Sequence, residues 1–266
     1  MSAERPDIKM EFVRHGDHDQ YNQILENKDL PLVDESIEKL RELRETLGIK
    51  PETTAAWSGD NKRSIDTCNI LLNHQEQDEI EGLEKNYKIA IDPNLLYKKN
   101  ANFKDFKDYL GLPEEQKKVF RAIVEHSEEF KRATGSDFTS YADLCNAVVD
   151  YVIKYTRVLD RWEKISFKYS TQSLFRIFCA NEYFYSSFRS LVELVLGGNE
   201  ARDKYVSWYE DNFERNEDRK HEEQSVTISR NNVGLISIVI KDSYGEISIN
   251  LDQLTIIKSM LEDGLL

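Results

Sequence analysis

Three short apolar runs, separated by two stretches of helical periodicity, constrain this chain more than any other feature. Residues 8–14, 53–58 and 88–91 read as strands. Between the first two, Ile37, Leu40, Leu43 and Leu47 recur at helical spacing, with Asp34 as the expected cap and Gly48 as the stop. Between the second and third, residues 61–72 place Ile65, Cys68 and Leu72 on one helix face. Strand, helix, strand, helix, strand predicts a parallel sheet of the α/β class.

The middle of the chain changes character. Residues from about 103 to 165 are helical in pattern and highly charged, and they are expected to form a helical insertion packed on the sheet. Pro113 should open one helix carrying Val119, Phe120, Ile123 and Phe130, with Gly135 ending it. Ser136 or Asp137 should cap a longer helix with Tyr141, Leu144, Val148, Val149, Val152 and Leu159 on its apolar side. Strand signals return at 174–180, followed by a helix over 183–196. Further strands are expected at 226–230, 235–240 and 246–249. The last two are joined through Ser243, Tyr244 and Gly245, a hairpin signal, and a final helix begins near Asp252. The segment 215–223 is a charge run with the composition of a solvated loop. No Pro-, Gly- or Ser-rich linker divides the chain, so residues 1–266 are expected to form one domain, a three-layer α/β/α sandwich with a mostly parallel sheet.

Charge narrows the function. A net charge of −13 argues against a general nucleic-acid binder and against an anionic membrane surface, because both are recognised by clustered Lys and Arg. The first nine residues lack the apolar run of a signal peptide, and no stretch is long enough to span a bilayer. Cys68, Cys145 and Cys179 are odd in number and sit in apolar contexts. They read as reduced core thiols, consistent with a cytoplasmic location.

The chemistry concentrates where strands end. The first strand runs into Arg14-His15-Gly16. A parallel strand delivers residues to the carboxyl edge of its sheet, where open α/β folds bind ligands. A glycine there allows close approach to a bound group. The second strand ends at Ser58, and Arg63 falls in the first turn of the next helix, where free N–H groups and the dipole favour anions. If these were adjacent strands, Arg14, His15 and Arg63 would surround one point. Two arginines and a neutral imidazole suit phosphoryl transfer through a phosphohistidine, with no metal or other cofactor required. Each residue alone fits a blander role: a strand-end histidine, or arginines in surface ion pairs.

Arg14-His15-Gly16, then Asn22, then Asp29-Leu30-Pro31-Leu32 before a capped helix, then Ser58 with Arg63 and Thr67, resembles the histidine phosphatase superfamily, the phosphoglycerate-mutase-like proteins. The resemblance is strongest over residues 10–72. Asp92-Pro93-Asn94-Leu95 looks like the stretch before that family's proton donor, and residues 226–249 look like its closing strands. Carried over, His15 matches the phosphorylated nucleophile and Arg14 and Arg63 match the phosphate-binding arginines. Gly16 and Asn22 match positions near the phosphate, although the loop before Asn22 is one residue longer than is common. Asp17 replaces a frequent glutamate.

The pattern breaks in two places. Asn181 stands where the family carries a second histidine after a later strand, and none of His18, His74, His126 and His221 follows a suitable strand. Tyr97 stands where a glutamate general acid is expected, with Asp105 and Asp108 the next carboxylates. The resemblance therefore implies a metal-independent phosphate-ester hydrolase of reduced rate, acting through His15 on a phosphorylated small molecule or phosphoprotein. The alternative is a catalytically impaired module that keeps the anion pocket and binds a phosphorylated ligand or protein partner. A mutase proper ranks third, since Lys98, Lys99 and Arg161 would have to supply its extra basic contacts.

Overall fold

The computed structural model describes residues 6–14, 32–49, 53–59, 62–72, 89–92, 103–113, 118–169, 173–180, 183–212, 214 and 224–266. Its strands are β1 (Asp7–Arg14), β2 (Thr54–Ser58), β3 (Ile89–Ile91), β4 (Ser173–Ala180), β5 (Ser225–Arg230), β6 (Ile236–Asp242) and β7 (Gly245–Asn250). Its helices are α1 (Asp34–Leu47), α2 (Lys62–Leu71), α3 (Phe103–Tyr109), α4 (Phe120–Thr134), α5 (Tyr141–Tyr169), α6 (Tyr183–Asn212) and α7 (Leu251–Glu262).

The strands form one seven-stranded sheet in the order β3-β2-β4-β1-β5-β6-β7. The first four are parallel, and β5, β6 and β7 complete the sheet as an antiparallel meander. Period-two alternation along the strands splits the apolar residues between two faces. Val13, Ala56, Ile177 and Cys179 meet Leu40 of α1 with Cys68 and Leu71 of α2. Met10, Phe12 and Phe178 face the other way, into a larger core shared with α4, α5, α6 and α7. The result is the expected α/β/α sandwich. The long charged middle segment forms part of its second helical layer. Leu144, Val148, Val149, Val152 and Leu159 of α5 are buried against the sheet while its charges face outward.

Several local expectations are corrected. Val33, not Asp34, is the cap of α1, and Asp34 lies in the first turn, where a carboxylate still complements the dipole. The helix expected from Pro113 begins at Phe120. Its first N–H groups are satisfied from outside by Glu214, which accepts from Val119 (2.8 Å) and Phe120 (3.3 Å), and by Glu210, which accepts from Arg121 (2.9 Å). The entry to α5 is made by Ser140 instead of Ser136 or Asp137. The Asp143 carboxylate accepts from the Ser140 backbone N–H at 2.9 Å, and the Ser140 hydroxyl donates to it at 3.0 Å. Helix α6 continues well past residue 196. The expected end near residue 196 is nevertheless real, because Gly198, at φ 72° and ψ −168°, leaves the helical conformation and divides α6 into two helical stretches joined at a kink. Gly48 and Gly135 do stop their helices, both in the left-handed conformation. The charge run 215–223 lies outside the described residues.

Candidate active site

Four parallel strands finish at one edge. Arg14, the last residue of β1, is level with Ala180, the last of β4. Ser58, the last of β2, is level with Cys179 and with Ile91, the last of β3. The backbone ladder continues one step further, because the Asp92 N–H donates to the Ser58 carbonyl at 2.8 Å. An aromatic stack fixes this alignment. Phe178 is the register partner of both Phe12 and Trp57, and their rings stack at 5.2 Å and 5.3 Å from its own. Because the stack lies within three residues of each strand end, a slip of one residue would break it.

Arg14 is half-buried at this edge, and Arg63, also half-buried, lies in the opening turn of α2. No carboxylate shares that first turn. One expectation is corrected: β1 and β2 are not neighbours, because β4 lies between them. The physical reason is burial. β4 carries apolar residues to both faces (Leu174 and Phe178 to one, Ile177 and Cys179 to the other) and so takes a central position. The ends of β1 and β2 are therefore two strand spacings apart, about 10 Å. His15, Gly16, Asn22 and Asn181 lie outside the described residues, as do Asp17, His18, His74, Tyr97, Lys98, Lys99 and His221.

Two residues of the motif have local structural roles. The buried Ser58 hydroxyl donates to the Gly59 carbonyl at 2.8 Å, and the Thr67 hydroxyl donates to the Arg63 carbonyl at 2.8 Å. Cys68 and Cys179 are both buried beneath the edge. Contact with Cys179, reinforced by burial, pushes the Cys68 thiol well above its ordinary range, so it stays protonated and unreactive. This is the core role the sequence suggested. Asp105 and Asp108 are exposed on α3, and His126 lies beside Glu125 on α4, 3.8 Å away.

Sequence reasoning missed one link at the edge. The Tyr151 hydroxyl of α5 donates to the Asp92 carboxylate, tying the second helical layer to the end of β3. Burial and that carboxylate push the Tyr151 phenol far up, so it acts as a hydrogen-bond donor and not as an acid. The signal was the spacing of Tyr151 and Tyr155, which repeats at helical period beside Val148 and Val152. Both tyrosines pack edge-on against Trp57 and Phe178. A groove of about 650 Å³ opens beside Asp92, lined also by Asp137, Asp143, Asp150, Lys131 and Lys154. Neither Arg14 nor Arg63 lines it. With four carboxylates against two lysines, it is not an anion cradle. Among the described residues, no group of His, Cys, Asp or Glu gathers in a way that would hold a metal ion.

A phosphoglycerate mutase from Bacillus anthracis str. Sterne superposes with a TM-score of 0.50, over 96% of this chain and 98% of that one, at 14% identity. The chain has the phosphoglycerate mutase fold. A mycobacterial glucosyl-3-phosphoglycerate phosphatase aligns at a TM-score of 0.46, over 89% of this chain and 98% of that one, at 12% identity. No protein-family model and no curated protein matches the sequence. Among the described residues, no helix is long and apolar enough to cross a membrane.

Proposed function

We propose that the chain is a metal-independent phosphate-ester hydrolase working through His15. The imidazole attacks phosphorus, the ester oxygen leaves as the alcohol on gaining a proton, and phospho-His15 forms. Water then cleaves the phosphorus–nitrogen bond, releasing inorganic phosphate and restoring the imidazole. Arg14 and Arg63 neutralise the equatorial oxygens, Gly16 gives the phosphoryl group access, and Asn22 and Asn181 donate hydrogen bonds to it. The observation that carries this reading is the common edge. β1 finishes there with Arg14, immediately before His15, and β2 finishes there before the helix that opens with Arg63. The phosphoglycerate mutase fold supports it.

Asn181 and Tyr97 favour a second reading in which turnover has been lost and anion binding kept. Losing one placed donor to the transition state costs about 10²–10³ in rate, and losing the general acid about 10²–10⁴. An amide at position 181 still donates hydrogen bonds but brings no charge. Hydrolysis of p-nitrophenyl phosphate, which needs little help to expel its leaving group, separates the two readings. Turnover that disappears in His15→Ala supports the hydrolase. Vanadate binding that depends on Arg14 and Arg63 without turnover supports the module. Turnover that is unchanged in His15→Ala would sink the hydrolase reading, and vanadate affinity that is unchanged in Arg14→Ala and Arg63→Ala would sink the module.

A further inference from the structure

Most basic side chains among the described residues are matched in place. Arg230 meets Asp160 and Glu163, Arg189 meets Glu193, and Lys131 meets Asp143. One face of α5 departs from this rule. Lys154, Arg157, Arg161 and Lys164 are all exposed, and at 100° per residue they fall within an arc of about 80°. Arg157, Arg161 and Lys164 have no ion-pair partner among the described residues. Lys154 lies over the rings of Trp57 (5.6 Å), Tyr151 (5.6 Å) and Tyr155 (5.8 Å).

This basic face borders a groove of about 630 Å³ between α5 and α7. Ile153 and Val158, both half-buried, give it apolar surface. Lys258 of α7 also lines it, but it is already held by Asp150 at 2.8 Å and Glu262 at 3.7 Å. Those three groups sum to −1, so with Lys154, Arg157 and Arg161 the lining of the groove carries a net charge of +2. Among the described residues, the cations there without an ion-pair partner are Lys154, Arg157 and Arg161.

We propose that this groove binds an acidic peptide segment of a partner protein, with carboxylates on Arg157 and Arg161 and an apolar side chain on Ile153 and Val158. The guanidinium fork matches a carboxylate in two parallel hydrogen bonds. From Ile153 to Arg161 the helix rises about 12 Å, the span of about four extended residues. A long nucleic acid is disfavoured because this chain, at −13 overall, repels a dense polyanion. Exposed ion pairs contribute little each, so binding is weak and falls with salt. The proposal does not depend on phosphatase activity.

The test is fluorescence anisotropy of the full chain with a fluorescein-labelled Glu-Asp-Leu-Glu-Asp-Leu peptide at low ionic strength. The expected result is saturable binding that weakens about tenfold or more in R157E/R161E and less in R157Q/R161Q. It should also weaken when the leucines of the peptide become serines. Both arginines are exposed, and an unchanged thermal melt confirms that the variants fold. Four results would overturn the proposal: no saturable binding, binding unchanged in R157E/R161E, tighter binding of a short single-stranded oligonucleotide, or a dimer of the free chain that R157E/R161E dissociates. The last result would assign the face to a second copy.

Discussion

Phe12 and Phe178 are register partners on neighbouring parallel strands, and their rings stack at 5.2 Å with an interplanar angle of 16°. Trp57 extends the stack on the other side of Phe178. This ladder holds three strand ends level just below the proposed site. Phe178→Ala should destabilise the fold by about 3–5 kcal/mol. Phe178→Leu, which preserves most of the volume, should cost less than about 1.5 kcal/mol. Urea denaturation measures both. Vanadate affinity in Phe178→Leu reports whether the strand ends have shifted.

In the proposed mechanism, position 181 is where added charge should raise the rate. If His15 is the nucleophile and position 181 faces the phosphoryl group, Asn181→His should raise kcat for p-nitrophenyl phosphate by about 10²-fold, because it adds charge to a donor that the amide supplies only as a dipole. Arg63→Ala should lower it by about 10²–10³. Steady-state kinetics checks both, and a phosphohistidine trapped by rapid acid quench identifies the intermediate.

Asp143 makes stability depend on pH. Burial pushes its carboxyl up, but hydrogen bonds and charge from Lys131 and hydrogen bonds from Ser140 outweigh burial and hold it below its ordinary value of 3.8. A group depressed in the folded state stabilises the fold above its unfolded pKa, and that stability is lost as pH falls through the folded value. The chain should therefore lose stability on acidification below about pH 4. Asp143→Asn should reduce that loss in chemical denaturation across the same range.

Glu214 is a buried acceptor that serves two elements. It receives the N–H groups of Val119 and Phe120, and the Tyr183 hydroxyl at 2.7 Å. Glu214→Ala leaves these donors without it and should cost about 2–3 kcal/mol. Glu214→Gln keeps an acceptor oxygen and should cost about 1 kcal/mol. Amide hydrogen exchange should quicken first in the opening turn of α4.

Gly198 is a backbone requirement and not a packing one. A Cβ placed there would meet nothing within 4 Å, yet its φ of 72° with ψ of −168° belongs to a region that side chains rarely enter. Gly198→Ala should therefore cost about 1–3 kcal/mol, seen as a lower Tm, with the core undisturbed.

The sequence by itself determined the class of fold. Alternation of short apolar runs with helical stretches requires strands that hide on both faces beneath helices, and each such run became a strand within a residue or two of its expected ends. Arg14 was legible as the last residue of its strand and Arg63 as part of the opening turn of the helix after β2. What periodicity could not carry was the lateral order of the strands, the partners that finish a helix and the ties between layers. β4 enters between β1 and β2 because it can be buried on both faces, a comparison among strands that no local pattern contains. Glu214 satisfies α4 across 94 residues, and Tyr151 reaches Asp92 across 59. Hydrogen bonds of that span exist only once the chain has collapsed, because they depend on which surfaces meet and not on which residues follow one another.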